Sequence, residues 1–153
     1  IYIVGLRSSA SIATFLGFYF NLIFDNVVMI SANTVSEVLE SLLRVGEGDV
    51  VIGISFPRYS SRAVQAMSFA RDRGATTIAI TDSEVSPLAS IAQYTLKARS
   101  DMASFVDSLV APLSLVNALL VAVSRKKNED LSKTFETLEK IWEEYGVYEK
   151  TLE

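Results

Sequence analysis

The chain has 153 residues, half of them hydrophobic, and a formal net charge of −4, which is enough for one well-packed domain. It contains no histidine and no cysteine, which excludes Ser-His-Asp triads, imidazole proton shuttles, thiol nucleophiles, disulfides and zinc-thiolate sites. The negative charge argues against this chain binding a nucleic-acid backbone alone, and the lack of cysteine predicts a reducing compartment, the cytoplasm.

Short β-branched runs alternate with segments of helical periodicity along the chain. Strands are predicted at residues 1–4, 27–30, 50–54, 76–81 and 93–97. Helices are predicted between them, over about 10–23, 35–45 and 59–73, with a further short helix at Ser86-Pro87-Leu88 that has proline in its first turn. This alternation predicts a parallel sheet covered by helices on both faces.

Two more helices are predicted at about 105–125 and 128–145. The first has no charge from Ser108 to Ser124 but contains Pro112 and Asn117. It is also shorter than the usual membrane span of about 20 residues, which predicts a buried helix. The second helix is amphipathic, and we expect a solvated charged face. The alternative is that its apolar residues pack onto a partner subunit: Leu131, Phe135, Leu138, Trp142 and Tyr145.

No linker or repeat divides the chain, so residues 1–153 are predicted to form a single domain. The chain opens on strand-like residues without Met and without a signal peptide. We therefore expect it to begin inside a longer protein.

Two serine-rich turns carry the chemistry. Residues 5–11 read GLRSSAS and residues 54–62 read ISFPRYSSR, and each turn lies between a predicted strand and a predicted helix. Such a turn offers unpaired N–H groups at the positive end of a helix dipole, which favours an anion. Serine hydroxyls add donors, and Arg7, Arg58 and Arg62 add positive charge. One such turn is weak evidence, because serine is a common N-cap. Two in one α/β domain predict a shared site for one phosphate-bearing ligand.

The same residues resemble a known family. Residues 3–13, IVGLRSSASIA, are similar to the G-x-G-x-S-x-x-x-A opening of SIS (sugar isomerase) domains. Residues 49–60, DVVIGISFPRYS, resemble their D-V-V-I-x-x-S-x-S-G-x-T segment, and residues 70–89 resemble their later A-x-x-x-G-A, I-T-D and S-P-L-A motifs. The stretches at 105–109 and 142–148 look most like the ligand-binding half of RpiR-type transcriptional regulators.

The resemblance implies a flavodoxin-like, three-layer α/β/α fold with a doubly wound, five-stranded parallel sheet in the order 2-1-3-4-5. In that order the turns after strands one and three meet at the topological switch point. The resemblance also implies that hydroxyl groups of serines bind phosphate, helped by backbone N–H groups of residues 56–60. The candidate site comprises Arg7, Ser8, Ser9, Ser55, Phe56, Arg58, Tyr59 and Ser60, with Ser9, Ser55 and Ser60 as the phosphate-binding hydroxyls.

The sequence departs from the family pattern in both turns. Arg7 stands where the family has its second glycine. Pro57 and Arg58 replace a Ser-Gly pair, which removes one hydroxyl and one backbone donor. Arg58 either compensates with a charge-assisted contact to the ligand or points into solvent.

Relatives in this family include aldose–ketose phosphate isomerases, which need a base to move a proton beside a carbonyl. Ring opening in them often recruits a histidine, which is absent here. Glu37, Glu40 and Glu84 are the candidate bases, yet nothing pairs any of them with an acid. We therefore expect no enzyme activity. A structural module without a ligand is a further alternative.

The sequence thus predicts a phosphosugar-binding sensor domain of a transcriptional regulator, with a sugar-phosphate isomerase as the alternative. The expected ligand is a phosphorylated sugar or sugar acid, and no cofactor or metal is implied. The expected partner is a second copy of the chain, in a dimer or tetramer. DNA would be contacted only through an N-terminal helix-turn-helix domain outside this chain, and no membrane association is expected.

Overall fold

The computed structural model of the chain describes residues 1–32, 34–101 and 105–149, and of residues 128–130 the backbone alone. The strands are β1 (Tyr2–Gly5), β2 (Val28–Ile30), β3 (Val50–Ile54), β4 (Thr76–Thr81) and β5 (Tyr94–Lys97). The helices are α1 (Ala10–Ile23), α2 (Val35–Ser41), α3 (Ser61–Asp72), α4 (Val110–Lys126) and α5 (Asn128–Glu144).

The strands form one parallel sheet in the order β2-β1-β3-β4-β5, which confirms the predicted fold. Strand β1 lies beside β3, with Gly5 opposite Ile54. The chain continues from β1 to β2 on one side and from β3 to β4 on the other. The turns that follow β1 and β3 therefore open onto one crevice at the carboxyl edge of the sheet.

An apolar layer covers each face of the sheet. Side chains alternate along a strand, so Ile3 and Ile52 belong to the layer built with α1 and α4. Val4 and Val51 belong to the layer built with α2 and α3. Burial on both faces explains why the central strand β3 is a continuous apolar run in the sequence.

The predicted short helix at Ser86-Pro87-Leu88 is wrong. The segment forms hydrogen-bonded turns, in which the Ala92 N–H donates to the Leu88 carbonyl at 3.0 Å. Leu88 is fully buried, and the N–H of Gln93 already donates to the Thr77 carbonyl at 3.0 Å. The buried Leu88 and the Gln93 bond hold the segment as turns up to the start of β5.

Helix α4 begins at Val110, five residues later than predicted. The preceding segment is held by a hydrogen bond from the Ser100 hydroxyl to the Ser108 carbonyl at 3.0 Å, and Phe105 is 84% exposed. This tertiary bond has no local sequence signal. Helix α3 likewise begins two residues later than predicted, at Ser61.

Helix α4 is buried along one face alone, which corrects the prediction of a buried helix. Pro112, Val116 and Leu120 are buried, whereas Val110 and Val121 are exposed. Within the described residues, no helix has both the length and the apolar character needed to cross a membrane.

Helix α5 has the predicted solvated face: from Leu131 onward its charged side chains are exposed. Leu131, Leu138 and Trp142 are half-buried. Phe135 and Tyr145 are exposed. Their packing onto a partner subunit stays a prediction.

Candidate functional site

A cavity of about 400 Å³ lies at the carboxyl edge of the sheet, between the turns that follow β1 and β3. Its volume falls within the range of small-molecule sites, about 300–1,000 Å³. The lining residues are Leu6, Arg7, Ser8, Ser9, Ser55, Phe56, Pro57, Arg58, Ser60 and Asp107. All predicted site residues except Tyr59 are thus brought together, and their contact with a ligand stays a prediction.

The turn after β1 presents Ser9 to the cavity. Residues Arg7–Ser9 form one turn of 3-10 helix that continues into α1, and its first N–H groups have no partner inside the helix. Ser9 is 4% exposed, and no hydrogen bond to another described residue occupies its hydroxyl. Ser8 is exposed at the same turn. Both hydroxyls can therefore donate to an anion in the cavity.

Gly5 brings this turn close to the sheet. A Cβ atom at Gly5 would lie 2.5 Å from the Cβ of Ala13 and 2.7 Å from the carbonyl oxygen of Ser9. Neither atom belongs to a flexible side chain. The absence of a side chain at Gly5 therefore allows the first turn of α1 to pack directly on the end of β1.

The loop after β3, residues 55–60, is closed by its own serines. The N–H of Ser55 donates to the Ile80 carbonyl at 3.1 Å, and its Oγ accepts from the Ser60 N–H at 3.0 Å. The Oγ of Ser60 in turn caps α3 by accepting from the Ala63 N–H at 3.4 Å. Each hydroxyl uses a lone pair in these bonds and keeps its proton for donation.

The backbone donors of this loop are fewer than predicted. The N–H of Ser60 is engaged by Ser55, and Pro57 has none. Phe56, Arg58 and Tyr59 keep N–H groups without an acceptor among the residues that the structure describes. A phosphate in the cavity would therefore rely more on hydroxyls and less on the backbone than the family pattern implies.

Arg7 and Arg58 both adopt the left-handed backbone conformation, with φ of 58° and 62°. Among the described residues they are the two non-glycine residues with positive φ, and both stand where the family pattern has glycine. This conformation costs an L-residue with a side chain about 1–2 kcal/mol. The chain thus keeps the glycine backbone at both turns and adds a guanidinium group to each.

Tyr59 lies outside the cavity. Its hydroxyl donates to Asp82 Oδ1 at 2.8 Å, and it lines a second groove that shares Arg58 with the cavity. Burial, together with the neighbouring Asp82 carboxylate, raises the pKa of Tyr59 above its ordinary value. The side chain therefore braces loop 55–60 against the end of β4.

Asp107 is the cavity residue of greatest chemical interest that the sequence analysis missed. It is half-buried and precedes α4, whereas the sequence pattern placed it within a helix. Its position depends on where α4 begins, and no local signal marks that point.

The three glutamates considered as bases do not line the cavity. Glu37 forms a capping box with Thr34 at the start of α2. Glu40 accepts from the Ser36 hydroxyl at 2.6 Å, and Glu84 pairs with Lys97 at 2.7 Å. Each carboxylate therefore has a local partner on the surface.

Known proteins similar to the chain agree with this architecture. The SIS domain family model matches residues 1–122. An HTH-type transcriptional regulator from Caldanaerobacter subterraneus subsp. tengcongensis is 33% identical over 107 residues, which cover 67% of this chain and 38% of that protein. The chain therefore spans well under half of that regulator.

Two solved structures have the same fold. The sugar isomerase domain of an RpiR transcription factor from Sphaerobacter thermophilus has a TM-score of 0.85 and 30% identity, covering 91% of this chain and 77% of that one. NanR from Vibrio vulnificus, complexed with ManNAc-6P, has a TM-score of 0.78 and 19% identity, covering 92% of this chain and 54% of that one. The second likeness shows the fold alone.

The family model covers most of the chain, and a domain of 30% identity superposes on it nearly end to end. The chain therefore belongs to the SIS domain family and is similar within it to the sugar isomerase domains of RpiR-type transcriptional regulators.

Proposed function

We propose that this chain is the phosphosugar-binding sensor domain of a transcriptional regulator, with the phosphate group bound between the turns after β1 and β3. One observation carries the proposal: two buried serines, Ser9 and Ser55, line the same cavity. They come from turns that lead into two different helices. Helix N-termini and hydroxyl donors together favour a phosphate.

The NanR complex supports the choice of ligand class. NanR has the same fold and was solved with ManNAc-6P, a phosphosugar. The similarity of this chain to an RpiR transcription factor and to an HTH-type regulator supports a sensor role over a metabolic one.

The side chains in the cavity favour binding over catalysis. Aldose–ketose isomerisation needs a base beside the carbonyl and an acid–base group for ring opening. Among the described residues, Asp107 is the one carboxylate that lines the cavity, and the other lining side chains are serine, arginine or apolar. An isomerase, the second candidate function, would have to rely on Asp107.

A ligand panel tests the binding proposal. We expect at least one hexose or pentose phosphate to raise the melting temperature of the chain, while the unphosphorylated sugars do not. At a ligand concentration 100 times Kd the native state gains about 2.7 kcal/mol. For a domain of this size, that gain corresponds to a rise of about 5–10 °C. If no phosphorylated sugar shifts the transition, the proposal fails.

The same mixtures, followed by NMR, test the alternative. We expect no conversion between aldose and ketose phosphates. Turnover that disappears in Asp107→Asn would instead establish the isomerase.

We further propose that the chain assembles as a cytoplasmic homo-oligomer, and that a helix-turn-helix segment elsewhere in the full protein contacts DNA. Exposed apolar side chains on α4 and α5, including Val110, Val121 and Ile141, support assembly. The net charge of −4 supports contact with the nucleic acid through another segment of the full protein, because a nucleic-acid backbone is bound by positive charge.

The regulatory step has a direct measurement. In the full-length protein, a saturating ligand should change operator affinity by about 5–150-fold, the usual range of coupling between two sites. Operator binding that does not change with a ligand known to bind the domain would contradict the sensor role.

The proposed assembly is tested by light scattering of this chain at tens of micromolar, which should report at least a dimer. A monomer would contradict assembly.

A further inference from the structure

Two arginines distinguish this cavity from the family pattern. Arg7 and Arg58 line the same cavity from its two turns, and both are exposed. Among the described residues, neither guanidinium group forms an ion pair or a hydrogen bond. By contrast, Arg71 pairs with Asp72, and Arg73 donates to the Leu43 carbonyl.

The backbone conformation of the two arginines is costly, and neither guanidinium group gains an ion pair or hydrogen bond from it within the described residues. Each has positive φ, which disfavours any residue with a Cβ atom relative to glycine. Residues in such conformations cluster at ligand-binding sites, where the strain is tolerated for function. The positive φ at both Arg7 and Arg58 therefore indicates that the two guanidinium groups have a function in this cavity.

The donors that line the cavity differ in their exposure. Ser9 and Ser55 are 4% and 3% exposed, and the phosphate is proposed to bind at these serines. Arg7 and Arg58 are exposed, so their side chains are accessible to a second group of the ligand. A planar guanidinium matches a carboxylate or a phosphate through two parallel hydrogen bonds.

We propose that Arg7 and Arg58 select a phosphosugar that carries a second anionic group, either a carboxylate or a second phosphate, over sugar phosphates whose one anionic group is a single phosphate. This inference rests on the proposed function, because it takes the first phosphate to be held by the serines. Asp107 lines the same cavity and repels an anion that approaches it. The second anionic group is therefore expected to contact the arginines rather than Asp107.

Calorimetry with matched ligands tests the inference on the chain as it is. The first pair is 6-phosphogluconate and glucitol 6-phosphate, which differ in a carboxylate against a hydroxymethyl group at one carbon. The second pair is fructose 1,6-bisphosphate and fructose 6-phosphate. In at least one pair, the ligand with the second anionic group should bind at least about tenfold more tightly, as expected for a hydrogen bond between charged groups.

Two kinds of variant separate charge from backbone strain. Arg7→Gln and Arg58→Gln keep a side chain on the left-handed backbone and remove the charge. Each should weaken the preference for the second anionic group while changing the affinity of the ligand without that group less than about threefold. Arg7→Gly and Arg58→Gly should weaken the preference equally and raise the melting temperature of the unliganded chain, which excludes misfolding as the cause. Arg44→Gln, at an exposed position outside the cavity, should leave both affinities unchanged.

The remaining outcomes distinguish this inference from the proposed function. If glucitol 6-phosphate and fructose 6-phosphate bind and the second anionic group adds nothing, the inference is overturned and the proposed function stands. If the glutamine variants weaken both ligands of a pair equally, the arginines belong to the phosphate site and the inference is again overturned. If none of the four sugar phosphates nor inorganic phosphate binds, the proposed function itself fails.

Discussion

Replacing Gly5 by alanine is expected to lower the free energy of unfolding by about 3 kcal/mol, the upper part of the usual range for overpacking. The new Cβ would lie 2.5 Å from the Ala13 Cβ and 2.7 Å from the Ser9 carbonyl oxygen. Because a short side chain and a backbone atom cannot move aside alone, α1 would have to shift away from β1. Urea unfolding of the wild type and the variant measures the difference.

Gly46→Ala is the matched control. At Gly46 the nearest atom to a new Cβ is the Arg73 carbonyl oxygen at 3.9 Å, and the backbone there does not have positive φ. The stability should therefore change by no more than about 0.5 kcal/mol. If Gly5→Ala unfolds at the same urea concentration as Gly46→Ala, the close packing of α1 on β1 is contradicted.

Replacing Ser55 by alanine is expected to weaken phosphosugar binding by about 5–150-fold, or about 1–3 kcal/mol, the range for losing a hydrogen bond to a charged group. The hydroxyl lines the cavity, and it also accepts from the Ser60 N–H at 3.0 Å. The variant thus loses a donor to the ligand and the bond that closes loop 55–60. Titration calorimetry with the tightest ligand of the panel gives the affinity.

Two further variants define the specificity of this effect. Ser61→Ala changes the same chemical group at an exposed position that does not line the cavity, and its affinity should match that of the wild type within about twofold. Ser60→Ala should weaken binding and also lower stability by about 1 kcal/mol, because Ser60 caps α3. Unchanged affinity in both Ser55→Ala and Ser60→Ala would place the ligand elsewhere.

The elements with the strongest local signals were predictable. β3 and β4 occupy the predicted residues without change, because β3 is a continuous apolar run and β4 consists mainly of β-branched threonine and isoleucine. The order of the strands came from the family resemblance, since periodicity alone does not say which strands are neighbours. The sequence does not predict where α4 begins, because its start depends on a hydrogen bond from the Ser100 hydroxyl to the Ser108 carbonyl. A contact between these two residues has no local sequence pattern.

Site residues that belong to the family motifs could be predicted from the sequence. Features that depend on tertiary contacts could not. The family motifs located the serines that line the cavity, and they marked Arg7 and Arg58 as departures. They did not indicate that both arginines keep a glycine-like backbone. The orientation of Tyr59 depends on Asp82, which lies 23 residues away along the chain. No local pattern contains such a contact.

The hydrogen bonds that hold loop 55–60 in place lower the entropy cost of binding a ligand in this cavity. The Ser55–Ser60 and Tyr59–Asp82 hydrogen bonds hold the loop without a ligand. Ordering a flexible backbone costs about 1–2 kcal/mol of conformational entropy per residue. Because this loop is already ordered, that cost does not reduce the binding free energy. Binding should therefore proceed with little loss of chain entropy and little change in the shape of this wall. A movement that reports occupancy to the rest of the protein is therefore expected in cavity residues outside this loop, such as Asp107, which precedes α4 in the chain.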